Sequence, residues 1–147
     1  MDWLVVISPD NFERTMELGF SVQGFKSRHG RKVSRMTVGD RLTYYLTGES
    51  RFAAACTVQS TVFEERTRIW RAPGRPEELY PWRVRISPDV VVPSDRRPRA
   101  SDWVTALQFV TRWPRAHWPL AFQGMLHEIP ASDADTICAA LLGKHTD

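Results

Sequence analysis

The chain has 147 residues, 42% of them hydrophobic and 25% charged, with a formal net charge of +3. That length and apolar share suit one globular domain, expected over residues 1–147, and exclude a disordered chain. No apolar run approaches the roughly 18–20 residues of a membrane-spanning helix, and Cys56 and Cys138 stand far apart among apolar neighbours, the pattern of buried free thiols in a reducing cytoplasm.

Trp3 to Ile7 reads as a first strand and not as a signal peptide, since it lacks a basic leader and a cleavage site. Ser8-Pro9-Asp10 starts a helix: Ser8 caps, Pro9 suits the first helical position and Asp10 favours the positive end. Phe12 and Met16 give it an apolar face and Gly19 ends it. Gly24 to Arg35 is basic and irregular. Leu42, Tyr44 and Leu46 alternate as a strand, and Phe52 through Val62 alternate as a longer one after the Gly48-Glu49-Ser50 turn. Arg66 to Glu78 contains Gly74 and two prolines and reads as a loop. Trp82, Val84 and Ile86 alternate with Arg83 and Arg85, a strand with one wet face, and Val90 to Val92 adds a short one. Ser101-Asp102 is expected to cap a helix running to about Phe109, and Ser132-Asp133 to cap a last helix stopped by Gly143. Long strands joined by short turns, with helices at the edges, predict an α+β domain with a curved or closed, barrel-like sheet.

The motifs of common enzymes are missing. There is no phosphate loop ending in Gly-Lys-Ser/Thr, no Gly-x-Gly-x-x-Gly, no Gly-x-Ser-x-Gly and no His-Glu-x-x-His. Neither cysteine has a partner at zinc spacing, and His29, His117, His127 and His145 are scattered. We therefore expect no catalytic residue, no metal and no cofactor.

Two basic clusters stand out instead. Lys26, Arg28, Arg31, Lys32 and Arg35 fall in one stretch without an acidic residue. Such a run is either a solvated loop or a patch for phosphates, whose neutralisation releases counterions. Arg96, Arg97, Arg99, Arg112 and Arg115 are interleaved with Trp103, Trp113 and Trp118, a mixture that suits an unpaired base stacked on a ring or, equally, helix packing. Six tryptophans are many for a core this small. Trp70 sits in the loop between Arg68 and Arg71, where it either covers a sheet edge or stands at the rim of a pocket for a planar ligand.

These segments, taken in order, resemble the EVE domain, a PUA-like fold related to the YTH domain. The resemblance runs from about Trp3 to Leu142. It rests on Trp3 through Phe12, Gly24-Phe25 leading to His29-Gly30, Met36 through Leu42 with Tyr45, Arg68-Ile69-Trp70, Tyr80 through Ile86, and Phe122 followed by His127-Glu128-Ile129. It implies a barrelled mixed sheet flanked by helices and a pocket of base size. It further implies a reader of DNA or RNA that captures a flipped-out, modified base, such as a methylated cytosine or adenine, in an aromatic cage. A sensor of a small molecule or single nucleotide in the same pocket is the alternative. By position Trp70 resembles a cage wall. The opposite wall falls to Phe25 and then Phe20, because Gln23 or Gly24 occupies the place where relatives often carry Trp. Asn11 resembles a residue that reads the base edge, with Ser8 beside it, and Trp118 and Phe122 match the pocket's far side. Lys26, Arg28, Arg31, Lys32 and Arg35 would then hold the nucleic-acid backbone.

Overall fold

The computed structural model describes residues 1–144; His145 lies outside them. Its strands are β1 (Asp2–Ile7), β2 (Val22–Phe25), β3 (Arg41–Leu46), β4 (Arg51–Val58), β5 (Phe63–Glu64), β6 (Trp82–Val91) and β7 (Leu126–Ile129). They form one seven-stranded sheet in the order β2-β6-β4-β3-β1-β7, with β5 paired to β6. Among the described residues only β1 and β3 pair in parallel, Trp3 opposite Leu42 and Val5 opposite Tyr44; the other pairs are antiparallel. Register shifts at Tyr44/Tyr45 and Ala55/Cys56 add the bulges that bend a strand. The sheet curls into a half-barrel, the mixed α+β architecture expected from the sequence.

Both faces of the sheet are covered, which explains why β1 reads as an unbroken apolar run. Trp3, Val5 and Ile7 face a core with Phe12, Tyr44, Trp70 and Val84. Leu4 and Val6 face a second core with Phe52, Trp103, Phe122 and Ile137. Helix α1 (Pro9–Glu17) lies on the first side. Ser8 caps it as expected, Oγ accepting from the Asn11 N–H at 3.1 Å, and Pro9 opens it. Helix α4 (Ala131–Leu141) lies on the second side.

Several local expectations fail for tertiary reasons. The basic stretch contains β2, a 3-10 turn over Ser27–His29 and the short helix α2 (Gly30–Val33). The strand expected to reach Val62 stops at Val58, and the two strands expected after Pro81 are one continuous β6. Residues 101–109 do not form one helix. A 3-10 turn ends at Asp102, and α3 (Gln108–Thr111) starts later. Its first N–H groups are capped from outside the segment, since Asp133 accepts from Gln108 N at 2.8 Å and Phe109 N at 2.9 Å. Asp133 therefore caps α3, while Pro130 stands at the start of α4. Trp82, Val84 and Ile86 share the inward face, but Arg83 is fully buried rather than solvated.

Candidate functional site

A cavity of about 450 Å³ opens where β1 ends and α1 begins. Its walls come from five places in the chain: Val6 to Ser8 with Asn11, Lys26 and Arg28, Thr47, Arg71 to Pro73 with Tyr80, and Phe122 to Met125. No acidic residue lines it, whereas Lys26, Arg28 and Arg71 do. Apolar surface from Ile7, Pro73, Tyr80, Phe122 and Met125 lies beside polar groups of Ser8, Thr47 and Gln123. That is the composition of a ligand pocket: an apolar body with a few polar groups that orient. The cationic edge favours an anion.

The loop wall is held by buried polar groups. Asn11 Nδ2 donates to Arg71 O at 2.8 Å and to Tyr80 OH at 3.3 Å, while its Oδ1 accepts from Arg71 N at 2.9 Å. Tyr80 has φ +51, a left-handed conformation that costs a bulky residue free energy and persists only when neighbours enforce it. Here Glu78 Oε2 accepts from Tyr80 N at 3.0 Å and Arg83 Nε donates to Tyr80 O at 3.1 Å. Arg83 also donates to Leu79 O and Thr67 O and pairs with Glu65 at 2.9 Å. This buried guanidinium therefore staples both ends of the loop to β6, which accounts for its burial: every charged donor in a dry place needs an acceptor. Glu78 also receives the Ser27 N–H and hydroxyl, tying the loop to the basic stretch. Burial alone would raise the Glu78 pKa, but hydrogen bonds from Tyr80 and Ser27 outweigh it and hold the carboxyl below its ordinary value.

Of the residues expected to line a pocket, Ser8, Asn11 and Phe122 meet at this cavity, and Lys26 and Arg28, expected to hold a nucleic-acid backbone, line it as well. Asn11 meets it with its amide already committed to the Arg71 backbone and Tyr80. It positions the wall, and its role as a free reader of the base edge is corrected accordingly. Trp70, Phe25 and Phe20 do not line the cavity; they are 0%, 0% and 5% exposed. This corrects the expected cage. Trp70 lies against Gly24 so closely that a Cβ there would stand 2.3 Å from its ring. Its Nε1 donates to Thr15 Oγ1 at 2.9 Å, and the Arg83 guanidinium sits 5.1 Å from the ring centroid. The missing side chain at position 24 makes the space the indole occupies. Thr15 in turn donates to Gln23 Oε1, which also accepts from Tyr44 OH, so the Trp70 indole ends a satisfied buried network.

The basic stretch splits in two. Lys26 and Arg28 line the cavity, and Arg31 is exposed on α2. Lys32 Nζ donates to Leu126 O at 2.8 Å, and Arg35 pairs with Glu128 at 2.7 Å; both brace β7, and both residues are exposed. His29 lies between, pushed down to about 4 by burial first and then by Arg28, Lys32 and Lys26. Trp118 is half-buried and edge-on to Phe122 at 5.9 Å, lining a separate hollow with Val110 and Trp113. Sequence reasoning missed Arg71, Tyr80, Thr47 and Gln123 as lining residues. Arg71 had a signal, a cation beside proline and glycine in a loop; Tyr80 had none beyond its place in the resemblance.

The model of the EVE domain family matches residues 2–140. The chain belongs to the EVE domain family. A UPF0310 protein of Pyrococcus horikoshii is 25% identical over 150 residues, covering 95% of this chain and 98% of that protein. Among solved structures, the YTH domain of Zygosaccharomyces rouxii MRB1 in complex with N6-methyladenosine RNA superposes with a TM-score of 0.67 at 16% identity, covering 99% of this chain and 90% of that one. Rpa0253 from Rhodopseudomonas palustris superposes with a TM-score of 0.63 at 15% identity, covering 98% and 95%. This EVE domain thus shares its fold with YTH domains. Among its described residues no helix is long and apolar enough to cross a membrane, and no group of three or more His, Cys, Asp or Glu is placed to hold a metal ion.

Proposed function

We propose that this EVE domain is a nucleic-acid reader that takes one flipped-out, modified base of DNA or RNA into the cavity at the start of α1. One observation carries the reading. Segments far apart in sequence converge on a pocket with apolar walls and a cationic edge free of carboxylates, in a family whose fold matches a domain solved with N6-methyladenosine RNA. Tyr80 and Phe122 are the aromatic residues of the lining, 3% and 5% exposed, and Lys26, Arg28 and Arg71 hold the phosphates on either side. Stacking returns about 1–3 kcal/mol per base, which offsets the few kcal/mol of unstacking. A methyl group in a dry site adds about 0.8 kcal/mol, or roughly fourfold in affinity. Binding rather than turnover fits the lining, because the partner of Ser8 Oγ is the Asn11 N–H and not a base.

A second reading has its own support. The cations stand on the cavity wall itself, and about 450 Å³ accommodates more than a base, within the roughly 300–1,000 Å³ of small-molecule sites. A single nucleotide would then be the ligand. Fluorescence anisotropy separates the two, using single-stranded DNA and RNA with and without N6-methyladenine or 5-methylcytosine and free mononucleotides as competitors. The reader binds a modified oligonucleotide several-fold more tightly than its unmodified twin, with affinity falling steeply as salt rises. Mononucleotides that compete as well as oligonucleotides would favour the sensor, and no binding at low salt to any of them would overturn both.

A further inference from the structure

We propose that the groove next to the base pocket, walled by Trp113 and Arg112, is a second stacking subsite for the unpaired nucleotide adjacent to the captured one. The proposal rests on the base-reader assignment and specifies its substrate as single-stranded at that step. The fold uses every tryptophan but one. Trp3, Trp70 and Trp82 donate their indole N–H to Asp40, Thr15 and Ser27, Trp103 is 8% exposed and Trp118 packs edge-on to Phe122. Trp113 is 41% exposed, and among the described residues no hydrogen bond engages its indole N–H. It lines a groove of about 540 Å³ with Arg112, Leu120 and His127.

This groove and the base pocket meet at Gln123, which lines both. Next to it, His127 Nε2 of the groove lies 3.2 Å from Gly124 O of the base pocket. The shared Gln123 makes the two sites contiguous, so the nucleotide adjacent to the captured one is the one positioned to reach the groove. The charge suits a phosphate there. Arg112, which lines the groove, has no ion pair among the described residues, and Glu128, the one acid in the groove, is neutralised by Arg35 at 2.7 Å. An exposed ring beside an unpaired guanidinium is the arrangement that holds single-stranded nucleic acid through stacking and charge together.

The test is the affinity of Trp113→Ala and Trp113→Phe for labelled single-stranded DNA and RNA pentanucleotides carrying N6-methyladenine or 5-methylcytosine at the centre. The matching mononucleotides serve as competitors. Trp113→Ala should weaken the pentanucleotides about five- to a hundredfold, the range of one lost stacking contact, and leave mononucleotides unchanged; Trp113→Phe should retain most of the affinity. Abasic positions flanking the modified base should weaken the wild type by a similar factor and Trp113→Ala hardly at all. Unchanged pentanucleotide binding by Trp113→Ala would overturn the subsite while leaving the base pocket intact, as would equal losses for pentanucleotide and mononucleotide. Failure of the wild type to bind either probe would overturn the base-reader assignment and the subsite with it.

Discussion

Truncating Trp70 to Ala separates a packing role from a binding role. The indole is 0% exposed, seated on Gly24, hydrogen-bonded to Thr15 and covered by the Arg83 guanidinium at 5.1 Å. Removing a fully buried tryptophan costs about 3–5 kcal/mol, because the transfer free energy and the cavity left behind add. For a domain of this size each kcal/mol moves Tm by about 2–4 °C, so the loss should be about 6–20 °C. Trp70→Phe keeps most of the apolar contact but leaves the Thr15 oxygen without its donor, and should cost about 1–3 kcal/mol. Thermal melting by circular dichroism reads the stability. Anisotropy at a temperature where each variant is folded reads the affinity for modified oligonucleotides, which should stay within a few-fold of wild type. If Trp70→Ala instead melts within 2 °C of wild type (about the effect of 1 kcal/mol or less) and loses tenfold or more in affinity, the ring leaves its seat to stack on the base, and the packing argument is wrong.

Asn11→Ala removes the hydrogen bonds at 2.8, 2.9 and 3.3 Å that hold Arg71 and Tyr80; it should cost about 1–3 kcal/mol and speed hydrogen exchange across residues 66–80, and unchanged exchange there would show that Arg83 and Glu78 hold the loop without Asn11. Lys26→Ala and Arg28→Ala should each reduce the slope of log affinity against log salt by about 0.7–0.9 while weakening all sequences alike; an unchanged slope would mean these side chains do not meet phosphates. His29 is neutral down to about 4 in the folded chain and titrates near 6.5 when unfolded. Protonation therefore favours the unfolded state, so stability is full above pH 6.5 and declines as pH falls toward 4. His29→Gln should flatten Tm across that window, and an unaltered decline would place its origin in other groups.

The sequence by itself determined much of the fold. The apolar alternation of Leu42 to Leu46, the Ser8-Pro9 start of α1 and the glycine stops are local signals, obeyed because short-range geometry decides them. It also placed Ser8, Asn11 and Phe122 in a candidate pocket and Lys26 and Arg28 in a separate basic patch; all five line one cavity, whereas Trp70, Phe25, Phe20 and Trp118 do not line it. What only the tertiary structure decided are outcomes that depend on a partner far away in the chain. Asp133 looks like the cap of its own helix, yet its carboxylate serves α3, because the N–H groups of Gln108 and Phe109 come within 2.9 Å of it. Arg83 alternates with apolar residues as a solvated side chain would, but the 66–80 loop folds over it and supplies carbonyls that make burial tolerable. Trp70 carries the same residue type and flanks that a cage wall would have. Gly24, forty-six residues away in number, leaves the space that the ring fills, and a vacancy made by a missing side chain has no signature in the segment that comes to occupy it.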